Sequence, residues 1–197
     1  MKERIIAAFA GLSRTKGFYK VTVDELAVEA GVSKRTIYRY FRSKNEIIEA
    51  VIDDFLGKMG READAAAALR NPDEIFAHVL KNFYEIGRII INPFVLEDLR
   101  VHYPQYWKKI DRFRMGKAQN VIKTFLAVGS RDYTKHIDPH ILTAAVLAGI
   151  QAVLNPEFLM KNGLTFETAA ADLLEFFKHG FINEYKGGGD PEADHSS

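Results

Sequence analysis

Residues Thr22–Lys44, TVDELAVEAGVSKRTIYRYFRSK, have the sequence pattern of two short helices joined by a tight turn. Thr22 can cap the first helix, and Glu25 three residues later completes a capping box. Gly31 ends this helix, since glycine adopts the left-handed conformation of a helix C-terminus without steric cost. Ser33 then caps the second helix. This order of caps and stops predicts a helix-turn-helix.

The second helix of this stretch has one apolar and one polar face. Ile37 and Phe41 are four residues apart and face inward. The outward residues are Lys34, Arg35, Thr36, Tyr38, Arg39 and Tyr40. Arg and Lys can bond to guanine edges or phosphates, and Thr and Tyr hydroxyls can reach phosphates. The helix therefore has the residues of a recognition helix in a DNA major groove. The alternative is a structural helical hairpin with solvated charges.

The N-terminal residues resemble the DNA-binding domain of the TetR family of bacterial transcriptional regulators. The shared features are the Gly17-Phe18 turn, TVDELAVEAGVS, the TIYRYF core of the recognition helix and the SKNEII that follows. The resemblance covers Ile5 to Ile48, about the first quarter of the chain. It implies an all-α fold of about nine helices, with a helix-turn-helix domain followed by a helical ligand-binding and dimerisation domain.

The first helix, residues 2–16, completes a three-helix domain that we assign to residues 1–45. Its apolar positions Ile5, Phe9 and Leu12 should pack under the two-helix motif. A unit of this size is marginally stable alone, so it should lean on the next helix. That helix, residues 44–70, opens with a second predicted capping box, Ser43 with Glu46. It either transmits rotation to the recognition helix or serves as a plain connector.

Charge is distributed unevenly along the chain. Residues 1–45 contain ten Lys and Arg against four Asp and Glu, a net charge of +6, whereas the remainder has 17 basic and 22 acidic residues. We call residues 1–45 the head. A basic segment of this kind beside an acidic remainder is typical of a segment that binds phosphates. The chain has no cysteine, which excludes disulfides, cysteine-ligated zinc and thiol catalysis. The N-terminus does not resemble a signal peptide, and no apolar run is long enough for a membrane span, so we expect a cytoplasmic protein.

Residues 46–186 form the predicted helical ligand-binding and dimerisation domain, without strand signals. The expected helices after residue 70 are 72–91, 94–103, 104–128, 141–154 with a short extension to Gly163, and 165–185. The tail, residues 187–197, is rich in glycine and polar residues and is expected to be disordered.

The last two helices are the candidate dimer interface. The family resemblance implies a homodimer whose interface is a four-helix bundle formed by the last two helices of each subunit. Two stripes fit this role: Ala145, Ala148, Gly149 and Ala152, and Leu173, Phe177 and Phe181. The alternative is that both stripes face the core of one subunit.

A ligand cavity is expected among the aromatic residues of the middle helices, mainly because the resemblance implies an inducer pocket. The candidate residues are Phe83, Tyr84, His102, Tyr103, Trp107, Phe113 and Arg114. His102 and Arg114 would supply polar anchors among apolar walls. The alternative for each aromatic residue is ordinary core packing. The effector itself would be largely apolar or aromatic.

No catalytic pattern is present, so the chain is not expected to be an enzyme and no cofactor is expected. The sequence His136-Ile-Asp138-Pro-His140 could suggest a metal site, but Asp138 is better explained as a helix cap. No metal site is predicted.

These observations predict a homodimeric transcriptional regulator, with repression favoured over activation, that binds a palindromic double-stranded DNA operator and is released by a small molecule. Lys34, Arg35, Thr36 and Arg39 would face base edges or nearby phosphates. Thr22, Ser33, Tyr38, Tyr40 and Lys44 would hold the DNA backbone. Two alternatives remain: a small-molecule-binding or enzymatic protein with a vestigial helix-turn-helix, and a structural protein that binds partners through its dimer face.

Overall fold

The computed structural model describes residues 1–79, 81, 92–129 and 137–181. These residues form ten helices and no strand, which confirms the all-α prediction. The helices are α1 (Lys2–Lys20), α2 (Val23–Glu29), α3 (Lys34–Tyr40), α4 (Lys44–Ala68), α5 (helical through residues 72–79), α6 (Pro93–Val101), α7 (Pro104–Val128), α8 (Pro139–Val153), α9 (Pro156–Lys161) and α10 (Phe166–Phe181). Among the described residues, no helix combines the length and apolarity needed to cross a membrane.

The helix starts in the N-terminal third follow the predicted capping chemistry. The Thr22 hydroxyl accepts from the Glu25 amide at 3.2 Å, and the Glu25 carboxylate accepts from the Thr22 amide at 2.9 Å. Ser33 Oγ accepts from the Thr36 amide at 3.1 Å. Gly31 has a φ of 60°, the left-handed conformation expected at the end of α2.

One local prediction needs correction. The Ser43 hydroxyl accepts from the Glu46 amide, but the Glu46 carboxylate accepts from the Arg42 amide at 2.7 Å, so the second capping box is not reciprocal at Ser43.

At Gly17 the backbone leaves the helical conformation with a φ of 79°, in agreement with the predicted first helix of residues 2–16. One further turn, within α1, follows to Lys20.

One continuous core joins the helix-turn-helix to the helices that follow it. Its buried side chains come from α1 to α4, α6 and α7: Ile5, Phe9, Phe18, Val21, Leu26, Ala30, Ile37, Phe41, Ile47, Ile48, Val51, Ile52, Phe55, Leu56, Val95, Leu99, Tyr103 and Ile110. The head therefore packs against α4, as expected for a unit too small to be stable alone, and also against α6 and α7. No break in this core marks residue 45, and the division there stays a prediction.

The C-terminal helices form a second, smaller core. Leu154, Leu159, Phe166 and Ala170 are buried together with Leu96 of α6. Asp138 caps the start of α8 as predicted, and Asn71 and Asn155 cap the starts of α5 and α9. The predicted end of α5, the loop before α8 and the tail from residue 187 lie outside the described residues.

Candidate functional site

Helix α3 presents a polar face because its apolar face is locked into the core. Ile37 is fully buried and Phe41 is 3% exposed, which fixes the rotation of this two-turn helix. Lys34, Arg35, Tyr38, Arg39 and Tyr40 are exposed on the other side, and Thr36 is half-buried. The structure thus brings the predicted recognition residues onto one accessible surface, which we call the α3 face.

The cations of the α3 face differ in how strongly they are held. Lys34 forms an ion pair with Asp24 at the start of α2. The Arg39 guanidinium lies 5.3 Å from the centre of the Tyr40 ring. Arg35 is exposed and forms no ion pair with any residue in the described ranges. Of these three cations, Arg35 therefore loses the fewest interactions within the protein when it approaches a base edge.

The hydroxyl groups predicted to hold phosphates also order the helix starts. Thr22 Oγ1 donates its single hydrogen to Glu25 Oε2 at 2.8 Å, so donation to a phosphate requires this bond to open. Ser33 Oγ and Thr36 Oγ1 are 3.0 Å apart, and either can be the donor. One hydroxyl hydrogen of this pair remains for another acceptor.

Lys44 is half-buried and binds the chain itself. Its Nζ donates to the Tyr19 carbonyl at 2.6 Å and lies 5.9 Å from the centre of the Tyr19 ring. Burial lowers the pKa of Lys44. The ammonium group keeps further hydrogens for a phosphate near the start of α4, where helix amides also favour anions.

A cavity of about 290 Å³ lies between α4, α5, α7, α8 and α10. Its lining is almost entirely apolar and includes Phe55, Met59, Val121, Val146 and Leu174. Among the described lining residues, the charged side chains are Glu62, Arg114, Lys117 and Lys178, and His78 is also titratable. Such a cavity has the character of a small-molecule site.

The structure separates the predicted ligand residues. Arg114 lines the cavity, as expected. His102 instead stacks on Tyr19 at 3.9 Å, and Tyr103 packs edge-on against Phe18 at 6.4 Å, so both belong to the contact between α1 and the start of α7. Trp107 and Phe113 are half-buried outside the cavity lining. Phe83 and Tyr84 lie outside the described residues.

Sequence reasoning missed most of the residues that line the cavity. They come from α4, α5, α7, α8 and α10 and are mainly aliphatic. The prediction rests on the density of aromatic residues and therefore does not identify them. The apolar stripe that contains Phe55 and Met59 of α4 is evident from the sequence, but as a packing surface. Its contribution to a cavity depends on where α7 and α10 lie.

The predicted dimer residues are divided between an inward and an outward face. A Cβ built on Gly149 would lie 2.7 Å from Phe177 Cζ and 3.5 Å from Leu173 Cδ1, so these three residues pack together within the chain. Ala145 is half-buried, whereas Ala148 and Ala152 are exposed. The side chain of Phe181 lies outside the described part of the chain. The expected stripe therefore corresponds only in part to an open surface.

The residues considered for a metal site have other roles where they are described. Asp138 Oδ1 accepts from the amides of His140 and Ile141, which is the geometry of a helix cap. His136 lies outside the described residues. Within the ranges that the structure describes, no cluster of three His, Asp or Glu side chains could hold a metal.

Comparison with known proteins adds independent findings. Residues 5–51 match the family described as bacterial regulatory proteins, tetR family. The chain is 24% identical over 200 aligned positions to YvaF of Bacillus subtilis, an uncharacterized HTH-type transcriptional regulator, covering 98% of this chain and 99% of YvaF.

Two solved structures show the same fold. One is SmeT, the repressor of the Stenotrophomonas maltophilia multidrug efflux pump SmeDEF, with a TM-score of 0.67, 15% identity, and coverage of 94% of this chain and 92% of SmeT. The other is the transcriptional regulator FadR of Bacillus subtilis in complex with stearoyl-CoA, with a TM-score of 0.61, 17% identity, and coverage of 90% and 97%.

Proposed function

Because the chain belongs to the TetR family of bacterial transcriptional regulators, we propose that it is a repressor that binds a palindromic operator as a homodimer and is released by a small-molecule effector. The family membership makes it a transcriptional regulator with a helix-turn-helix. The operator, the dimer, the repressing role and the effector are parts of the proposal.

The observation that carries the proposal is the α3 face. An α-helix fits the major groove of B-DNA, and α3 presents Arg35, Thr36 and Arg39 on the side away from the core. We assign Arg35 to a base edge because it is the cation of the α3 face with the fewest interactions within the protein. Tyr38, Tyr40 and Lys44 are assigned to phosphates, which set the register of α3.

The proposed homodimer rests on the outward faces of α8 and α10. Ile141 is 65% exposed, and Ala144, Ala148 and Ala152 continue its face along α8 at helical spacing. Phe176 of α10 is also 65% exposed. Small residues allow a second pair of helices to approach closely. A dimer of this kind would offer two recognition helices to half-sites about 34 Å apart.

The proposed release depends on the cavity and on its connection to the head. Helix α4 lines the cavity through Phe55 and Met59, and its first residue, Lys44, binds the end of α1. An effector that prefers a different packing of α4 against α7 would shift the population away from the DNA-binding spacing. Coupling of this kind is typically about 1–3 kcal/mol.

The test is selection of bound fragments from genomic DNA at about physiological salt, with the purified protein and two variants. An enriched palindrome that is lost with Arg35→Ala and retained with Arg70→Ala supports the proposal. Arg70 is a suitable control because it is an exposed arginine beyond the end of α4. Binding without sequence preference, both before and after the protein is unfolded and refolded to remove a co-purified ligand, argues against it.

A further inference from the structure

Arg114 places a charged group in the wall of an otherwise apolar cavity. Its side chain is 10% exposed and lines the cavity from α7. Burial of a charge is unfavourable unless hydrogen bonds and counter-charges compensate for it. Burial accordingly lowers the pKa of Arg114, although a guanidinium stays protonated in proteins.

The hydrogen bonds of Arg114 are incomplete. Nε and Nη2 donate to Asp111 Oδ1 at 2.9 and 2.6 Å, and the Trp107 ring lies 5.2 Å from the guanidinium carbon. The remaining nitrogen, Nη1, is buried and has no acceptor among the described residues. Buried donors almost always have a partner, so Nη1 is suited to donate a hydrogen bond to a ligand oxygen.

The other charged side chains at the cavity are largely paired. Lys117 and Lys178 join Arg114 in the lining, whereas Glu62 is the one carboxylate among the described lining residues. Glu62 lies 3.3 Å from His78 Nε2, Lys117 is paired with Asp64 at 2.5 Å, and Arg114 itself is paired with Asp111. These charges nearly balance, so the donor Nη1 of Arg114, which has no acceptor among the described residues, is the feature that favours an acceptor over a cation.

We propose that the ligand of this cavity is an amphipathic anion, with an apolar body against the aliphatic walls and an oxygen-bearing acid head that accepts a hydrogen bond from Arg114 Nη1. A carboxylate is the simplest such head, because arginine pairs with it through charge-assisted hydrogen bonds. This assignment rests on the proposed function in treating the cavity as the effector site, and it adds the chemical class of the effector.

The experiment compares ligands that share a tail and differ in the head: decanoate, 1-decanol and decylamine, and as a second set 2-naphthoate and 2-naphthol. Trp107 is the single tryptophan of the chain and lies beside Arg114, so its fluorescence reports binding. Alkyl ligands are titrated below their critical micelle concentrations.

The expected result is that the acid of at least one set binds about tenfold or more tightly than its neutral partner, as hydrogen bonds to a charged group allow. Decylamine should bind more weakly than decanol. Arg114→Met should abolish the difference between acid and neutral ligand while the neutral ligand still binds. Arg112→Met is the matched control, because Arg112 is exposed on the same helix, and it should retain the difference.

The comparison of head groups in the unaltered protein needs no variant, so the inference is testable even if Arg114→Met fails to fold. Asp111→Asn gives a second test, since it removes the competing carboxylate and should strengthen binding of the acid relative to the alcohol. Equal affinities, a preference for the amine, no binding of any probe, or loss of the difference in Arg112→Met would each overturn the inference.

Measurement of operator affinity with each ligand separates this inference from the proposed function. If an acid binds through Arg114 but leaves operator affinity unchanged, the head-group assignment holds and release by this ligand fails. If only neutral ligands weaken operator binding, release holds and the head-group assignment is wrong.

Discussion

Gly17 of α1 lies directly against the carboxylate of Asp98 of α6. A Cβ built on Gly17 would be 2.2 Å from Asp98 Oδ2, and the φ of 79° is itself one that L-residues rarely adopt. The same oxygen accepts from the Tyr19 amide at 2.7 Å, so Asp98 caps the turn that follows the interruption in α1. This contact fixes the end of α1 to α6.

We predict that Gly17→Ala lowers the free energy of unfolding by about 1–3 kcal/mol or more, because alanine adds backbone strain at this φ and its Cβ clashes with the buried carboxylate of Asp98. Gly11→Ala is the control. Gly11 lies in the regular part of α1, and a Cβ built there meets no atom within 4 Å, so alanine should raise stability by up to about 1 kcal/mol. Urea denaturation followed by circular dichroism measures both changes. Equal stability of the two variants would show that the contact is not formed in solution.

For Arg35→Ala we expect a loss of about 1–3 kcal/mol in operator binding, together with relaxed preference at one base pair of each half-site. The reason is the loss of a side chain that can bond to two acceptors on one guanine. Fluorescence anisotropy on operators with single substitutions measures this effect. If every operator variant loses the same affinity, Arg35 contacts phosphate and not a base.

Lys44→Ala should weaken binding to all DNA sequences alike and reduce the salt dependence of log K by about one unit. Its hydrogen bond to the Tyr19 carbonyl is also lost, so a small decrease in stability should accompany the change. Titrations of operator and random DNA at several salt concentrations provide the measurement. A change confined to the operator, with the salt slope unchanged, would contradict the phosphate assignment.

The carboxyl group of Glu25 should have an unusually low pKa. The hydrogen bond from Lys16, followed by those from the backbone and side chain of Thr22, lowers the pKa of Glu25 from 4.5 to about 2. A carboxyl group with a lowered folded-state pKa stabilises the fold above its unfolded pKa, and this contribution is lost as the pH falls from 4.5 to about 2. NMR titration of the side-chain carboxyl measures the pKa directly. Lys16→Met should raise the pKa, and a wild-type value near 4.5 would refute the capping contribution.

Ala148→Arg should convert the proposed dimer to a monomer, because Ala148 is an exposed small residue at the centre of the outward face of α8. A large charged side chain there prevents close helix approach and leaves a charge buried at the interface. Sedimentation equilibrium measures the mass, with Gln119→Arg on exposed α7 surface as the control. A dimer that tolerates Ala148→Arg must use another face.

The helix-turn-helix is predictable from local chemistry. The caps and the stop of this motif contact backbone groups only three or four residues away, so their roles follow from spacing alone. They are Thr22 with Glu25, Gly31, and Ser33. Residues 5–51 match the same family that these residues indicate. The error at Ser43 has the same local origin, because the Glu46 carboxylate has two amides within reach and the sequence does not choose between them.

The cavity between the helices is only partly predictable. Arg114 stands out because a cation among aromatic residues is unusual, but His102 and Tyr103 share that setting and serve the contact with α1 instead. The sequence pattern predicts Gly149 and Phe177 as interface residues. In the structure, the missing side chain of Gly149 accommodates the ring of Phe177 within the chain.

Residues close together in the chain are enough to predict the caps of the helix-turn-helix, the apolar face of α3 and the basic charge of residues 1–45, since capping, helix periodicity and charge are local properties. The packing of the whole chain is needed to know that Asp98 meets Gly17, that five helices line a cavity, and that Arg114 has one nitrogen without an acceptor among the described residues. These features depend on which of several apolar helix faces meet. That choice is made by packing between residues far apart in sequence, whose relative positions no local pattern encodes.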